Sequence, residues 1–115
     1  IEAGEIWSNS HHSGSHNLVI GEGSNYSSYG GIVGGFENTI NSGFNTVLGG
    51  RQNTSSGDWA LVLGGYGNRS TGNKSIVVGG SFNAASGLDS TVSGGSNRSA
   101  SGTDDWVAGS LFEDN

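Results

Sequence analysis

The chain has 115 residues, of which 23 are Gly and none is Pro, Cys or Met, and it carries a net charge of −6. Without Cys it can form neither a disulfide nor a thiolate metal site. Its four cations, Arg51, Arg69, Lys74 and Arg98, are scattered in an acidic background that repels phosphate backbones, so nucleic acid is not expected as a partner.

Leu, Ile, Val and Phe supply only 24 of the residues, at the border of disordered composition, so order must come from how they are placed. No basic leader or membrane-length apolar run occurs in these residues, and no membrane contact by this segment is expected. The first residue is Ile, which suggests a processed chain or an excised fragment with any anchor elsewhere.

Residues 1–15 hold Trp7 and the His11-His12 pair and show no periodicity, so they are expected to be an N-terminal extension or cap. His16 to Gly21 reads as a degenerate first strand. Gly-Gly pairs then recur at one fixed interval, at Gly34, Gly49, Gly64, Gly79 and Gly94, with Gly109-Ser110 as an altered sixth member. A strict period of this kind marks a solenoid in which one repeat is one coil. The repeat domain is expected over 16–110 and a C-terminal cap or tail over 111–115.

Two positions before the first Gly of each unit stand Ile32, Val47, Val62, Val77, Val92 and Val107. One position before it stand Val33, Leu48, Leu63, Val78, Ser93 and Ala108. Neighbouring strand residues point to opposite faces, so two adjacent apolar columns imply burial on both sides. One column fills the coil and the other needs a partner, most simply a second copy of the chain. The spacing alone does not say which column is which. Six buried Val side chains contribute about 10–15 kcal/mol before the ordering cost, so a lone thin coil is marginal and an oligomer is favoured.

The Gly pair turns the chain, because Gly takes positive φ without a Cβ clash. Asn38, Asn53, Asn68 and Asn83 follow four residues after the first Gly and are expected to bond their own turn and to stack between coils. The fifth unit has Arg98 there. A second short strand places Ile40, Ser55, Ser70, Ala85 and Ala100 in one column, small enough for a flattened coil. It closes at Ser56-Gly57, Thr71-Gly72, Ser86-Gly87 and Ser101-Gly102. Ser42-Gly43 sits one residue late, which predicts a shifted corner. Trp106 and Leu111-Phe112 are expected to cover the last coil.

The unit Ile76-Val77-Val78-Gly79-Gly80-Ser81-Phe82-Asn83-Ala84-Ala85-Ser86-Gly87 and its fellows resemble the head repeats of YadA-like trimeric autotransporter adhesins, over about residues 16–110. The resemblance implies a left-handed parallel β-roll, three of which associate into a head. The spacing here departs from that family, where many heads have a repeat one residue shorter with a single Gly, and no heptad stalk, neck or anchor is present. The combined expectation is an all-β, single-chain parallel β-solenoid of about six 15-residue coils that forms a homotrimer.

Candidate chemistry is sparse. Gly67 to Gly72 with Lys74 is one residue away from a phosphate-binding loop and precedes a strand instead of a helix, so it reads as a repeat turn. His11, His12 and His16 lack a scaffold for a metal, and Asp104-Asp105 and Glu113-Asp114 lack calcium-loop spacing. The Asn-x-Ser triplets at Asn25, Asn53, Asn68, Asn73 and Asn97 are what an Asn/Ser-rich repeat generates. No catalytic group and no cofactor is expected, and the chain does not read as an enzyme.

Variation is concentrated after the Gly pairs, so Phe36, Arg51, Tyr66 and Phe82 are the candidate ligand-binding residues. The candidate interface or core columns are Ile32, Val33, Val47, Leu48, Val62, Leu63, Val77, Val78, Val92 and Val107. The leading expectation is an extracellular adhesin head on a bacterial surface, binding a host or matrix protein or a glycan. The alternative is a structural subunit of an extracellular or phage tail fibre. A flat ice or carbohydrate binder ranks below both, because Thr46 and Thr91 are interrupted in their column by Leu61, Ile76 and Trp106.

Overall fold

The computed structural model describes residues 2–3 and 13–110. Its strands are β1 (Glu2–Ala3), β2 (Leu18–Glu22), β3 (Asn25–Tyr26), β4 (Ile32–Phe36), β5 (Thr39–Ile40), β6 (Thr46–Val47) and β7 (Thr54–Ser55). They continue with β8 (Leu61–Val62), β9 (Arg69–Ser70), β10 (Ile76–Val77), β11 (Ala84–Ala85), β12 (Thr91–Gly94), β13 (Ser99–Ala100) and β14 (Trp106–Ala108). From β2 onward the strands alternate between two parallel sheets. One runs β1-β2-β4-β6-β8-β10-β12-β14 and the other β13-β11-β9-β7-β5-β3. The chain is thus a parallel β-solenoid of about six 15-residue turns, with no helix among the described residues.

The core is a line of side chains between the sheets. The eight-stranded sheet sends in Val19, Val33, Val47, Val62, Val77 and Val92, each at most 5% exposed. The six-stranded sheet answers with Ile40, Ser55, Ser70, Ala85 and Ala100, all at 0%. A β-branched column facing a column of small residues fixes a thin, flat cross-section, as the small residues predicted.

The register corrects one assignment. Val33, not Ile32, pairs with Val47, and Ile32 pairs with Thr46 on the outer face, where it is 39% exposed. The first two turns, Leu18 to Ile32 to Thr46, are each one residue shorter than the later ones, Thr46 to Leu61 to Ile76. The residue gained lies between Val47 and Gly50, because Phe36 still bridges Arg51 while Val33 pairs with Val47. A one-residue slip in a strand exchanges its faces, which is why Ile32 and Val33 change places.

The corner at Ser42-Gly43 is not shifted either. The Trp59 amide donates to the Gly43 carbonyl and the Asn41 amide to Ser55, so Ser42 stands where Gly57 does and Gly43 where Asp58 does. The repeat also starts earlier than residue 16. The Ser13 amide donates to Tyr26, Ser15 bridges Tyr29, and Glu2 and Ala3 pair with Val19 and Ile20 as an added edge strand.

Each turn has two corners, and both use a left-handed residue, followed at the corner after the eight-stranded sheet by an inward Asn in most coils. After the eight-stranded sheet these are Glu37, Gln52, Gly67, Phe82 and Asn97, at φ 54–65°. Then come Asn38, Asn53, Asn68 and Asn83, each no more than 1% exposed. Asn68 Nδ2 donates to the carbonyls of Gly64 and Gly80, both at 2.9 Å, and Asn68 Oδ1 accepts from the Asn83 amide at 2.9 Å. Asn53 and Asn83 repeat the arrangement, and it ends where Arg98 donates its own amide to Asn83 Oδ1. Such a ladder satisfies buried polar groups that would each otherwise cost about 1–3 kcal/mol.

Candidate functional site

The chain presents four surfaces, and their chemistry differs. On the outer face of the eight-stranded sheet the two residues flanking each inward Val point outward. The column before it is Leu18, Ile32, Thr46, Leu61, Ile76, Thr91 and Trp106. In the column after it, Ile20 is 52% exposed, Leu48 54%, Leu63 38% and Val78 41%. No residue in either column is charged, although the chain as a whole carries −6. Of the two columns left open by the sequence, the Val column therefore faces inward and the Leu48, Leu63, Val78 column faces outward.

Trp106 does not cover the end of the stack. It stays in the outward column, largely exposed, with Nε1 donating to Ser93 Oγ at 2.5 Å. Val107, the last member of the inward column, is only half-buried. Leu111-Phe112 lies outside the described residues.

The opposite face, on the six-stranded sheet, is polar. Thr39, Thr54, Arg69, Ala84 and Ser99 point out from it. Beside them Asn41, Ser56, Thr71 and Ser86 continue each strand. Hydroxyl and amide groups on this side are solvated, and the described residues of this face form no apolar patch to bury.

The corner after the eight-stranded sheet gathers the ligand-binding candidates. Phe36, Arg51, Tyr66 and Ser81 succeed one another through single bridges, one per coil. The Arg51 guanidinium lies 5.3 Å from the Phe36 ring centre, and its Nε is 3.3 Å from Glu37 Oε2. Gln52 Nε2 donates to the same carboxylate at 2.9 Å. Further along, Tyr66 and Phe82 meet edge to face at 5.1 Å. The four residues thus form two adjacent pairs on one exposed ridge, with Arg51 neutralised by Glu37.

The other corner carries a feature that the sequence reading missed. His16, Tyr29, Phe44 and Trp59 make a chain of ring contacts along the solenoid axis, with centroids 4.9, 5.8 and 6.1 Å apart. Tyr29, Phe44 and Trp59 are each about half exposed. Phe44 and Trp59 lie within 5° of parallel. The signal was present, since Tyr29, Phe44 and Trp59 follow one another at the interval of the Gly pairs. Beside them Asp58 Oδ1 accepts from the Ser42 hydroxyl and, at 3.2 Å, from the Gly43 amide. The Ser42 hydroxyl first, and then the Gly43 amide, hold the Asp58 carboxyl below its ordinary range.

The remaining candidates are ordinary parts of the coil. Gly67 to Gly72 forms a corner and β9, with no helix to receive a phosphate. Asn53 and Asn68 are fully buried in the ladder, so their amides are closed to modification. Among the described residues no group of three or more His, Asp or Glu side chains converges as a metal site. His16 packs on Tyr29, Asp105 Oδ2 accepts from the Gly102 amide at 2.6 Å, and His11, His12 and Glu113-Asp114 lie outside the described residues. No helix among the described residues is long and apolar enough to cross a membrane. No protein-family model matches the chain, and no curated protein matches it either.

Proposed function

We propose that the chain is a non-enzymatic attachment module that works as a homo-oligomer, in the manner of a YadA-like adhesin head on a bacterial surface. The observation that carries this reading is the uncharged, apolar outer face of the eight-stranded sheet. Ile20, Ile32, Leu48, Leu61, Leu63, Ile76 and Val78 form one continuous patch along the solenoid. Contiguous apolar surface of this kind marks an interaction site, and charge depletion is the signature of an interface core. A second copy is the occupant that every coil of such a regular parallel ladder meets in equivalent fashion, and rotation about an axis parallel to the stack closes the assembly.

The oligomer then leaves the polar sheet and both corner ridges outward. Weak contacts repeated coil by coil and copy by copy add through multivalency, which is how a surface without a deep pocket attaches firmly. The three-fold symmetry and the left-handed winding come from the resemblance of the repeats. Light scattering on the whole chain at micromolar concentration tests the reading. A mass of three chains supports it, and a stable monomer refutes it.

A second reading, a structural fibre subunit, draws on the Glu2–Ala3 strand added to the first coil. A ladder end that takes up one short strand in this way also suits end-to-end docking. End-to-end filaments of the purified chain in electron micrographs select this reading over the adhesin head.

A further inference from the structure

We infer that the Tyr29, Phe44, Trp59 ridge is a docking platform for an extended, neutral glycan chain lying along the solenoid axis. The inference deepens the attachment reading and rests on it for its biological setting. Three observations converge on it. The first is the ring series itself, which continues over successive coils and stays about half exposed. Phe44 and Trp59 are parallel with centres 6.1 Å apart and hence offset, Tyr29 meets Phe44 edge to face, and about half of each residue's surface stays open to a ligand. Sugar rings offer C–H faces that pack on aromatic faces, and a pyranose residue is close in length to the spacing between coils.

The second observation is the polar pair beside Trp59. Asp58 and Asn73 occupy equivalent positions one coil apart, and the Asp58 amide donates to Asn73 Oδ1 at 3.1 Å. Among the described residues this leaves the second Asp58 oxygen as an acceptor and the Asn73 NH2 group as a donor. An acceptor and a donor next to an apolar platform match the hydroxyl rim around a sugar ring.

The third observation decides against other partners. A peptide adding as a strand needs unpaired backbone amides to donate to it, and those of this ridge are taken. The amides of Phe44, Trp59 and Lys74 already donate to Tyr29, Gly43 and Asp58 in the preceding coil. An acidic glycan needs a cation, but Lys74 Nζ is 3.9 Å from Asp89 and the chain is acidic overall. A neutral chain is left, and an extended one, since the rings follow one another from coil to coil. β-1,4-linked glycans are extended in this way, whereas α-linked ones coil.

The test is affinity electrophoresis of the whole chain through gels containing hydroxyethyl cellulose or glycol chitin, with dextran as the α-linked control. Retardation by at least one of the first two and not by dextran is expected. Trp59→Ala and Phe44→Ala should weaken it about tenfold, Trp59→Phe should restore most of it, and Asn97→Ala, far from the ridge, should leave it unchanged. Circular dichroism of each variant confirms the fold, and Trp59→Phe keeps the test valid if Trp59→Ala unfolds. Equal retardation of the wild type and Trp59→Ala overturns the inference, as does no retardation by either glycan. A protein-coated surface that captures the wild type and not Trp59→Ala, without glycan binding, also overturns it. Sedimentation of the same samples separates the two proposals. An oligomer that ignores both glycans sinks only the platform, and a monomer that binds them sinks only the assembly.

Discussion

Gly64 and Gly65 are adjacent and identical in kind, yet the fold predicts opposite outcomes when each becomes Ala. Gly65 sits at φ +91°, and a Cβ there would lie 2.2 Å from the Gly80 carbonyl oxygen and 2.6 Å from Asn68 Nδ2. That oxygen accepts from the Tyr66 amide at 3.0 Å and from Asn68 Nδ2 at 2.9 Å, so it cannot retreat without weakening both bonds. Left-handed backbone on a residue with a side chain costs about 1–3 kcal/mol, and each disrupted buried bond adds about 1 kcal/mol. Gly65→Ala should therefore destabilise by about 3–5 kcal/mol. At Gly64 an added Cβ meets nothing within 4 Å. Gly64→Ala should be neutral or stabilise by up to about 1 kcal/mol, because Ala restricts the unfolded chain. Urea unfolding followed by circular dichroism reads both. Equal effects at the two positions would refute the assignment of the turn to the second Gly of the pair.

Asn68→Ala removes three hydrogen bonds of the ladder, one buried and two part-buried, and should cost about 2–4 kcal/mol in the same assay, far more than Asn97→Ala at an exposed corner. Ser55 Oγ is buried with no hydrogen-bond partner among the described residues, so Ser55→Ala should raise the thermal midpoint, by the equivalent of about 1 kcal/mol. The Asp58 pKa is lowered in the folded chain by the Ser42 hydroxyl and the Gly43 amide. Its stabilising effect is therefore complete above the unfolded carboxylate pKa, about 3.9, and fades as pH falls towards the lower folded value. Thermal melts between pH 6 and pH 2 should show a shallower acid-side loss for Asp58→Asn than for the wild type, and parallel curves would contradict this.

Much of the fold was legible in the sequence because a solenoid repeats its physics in every coil. The phase of Val47, Val62, Val77 and Val92 marked one uniform column, whose inward orientation only the burial revealed, and Asn53, Asn68 and Asn83 gave the ladder. Reading failed where the period changed. Gly34 and Gly49 keep the spacing of the later Gly pairs, so counting from them put Ile32 in line with Val47. The pairing of Val33 with Val47 shows a turn one residue shorter there, with the extra residue of later coils lying before Gly50. Counting from Gly could not reveal an insertion beside Gly itself. The same anchoring hid the Tyr29, Phe44, Trp59 ridge, whose rings belong to the other corner and were never aligned with one another. Trp106 shows a different gap. Its bulk suggested a cap, but strand alternation keeps it in the outward column, because its neighbour Val107 takes the inward place.

Because the chain has no Cys, a single introduced thiol reports on one column at a time. Val62→Cys, Leu63→Cys and Thr54→Cys place it on the inward column, the apolar outer face and the polar sheet in turn, and maleimide labelling rates measure the cover over each. The account predicts that Val62→Cys labels only after unfolding and Thr54→Cys labels freely. Leu63→Cys should be protected at micromolar concentration and become reactive on dilution, as copies separate. Leu63→Cys labelling as fast as Thr54→Cys at every concentration would contradict the claim that this face joins one copy of the chain to the next.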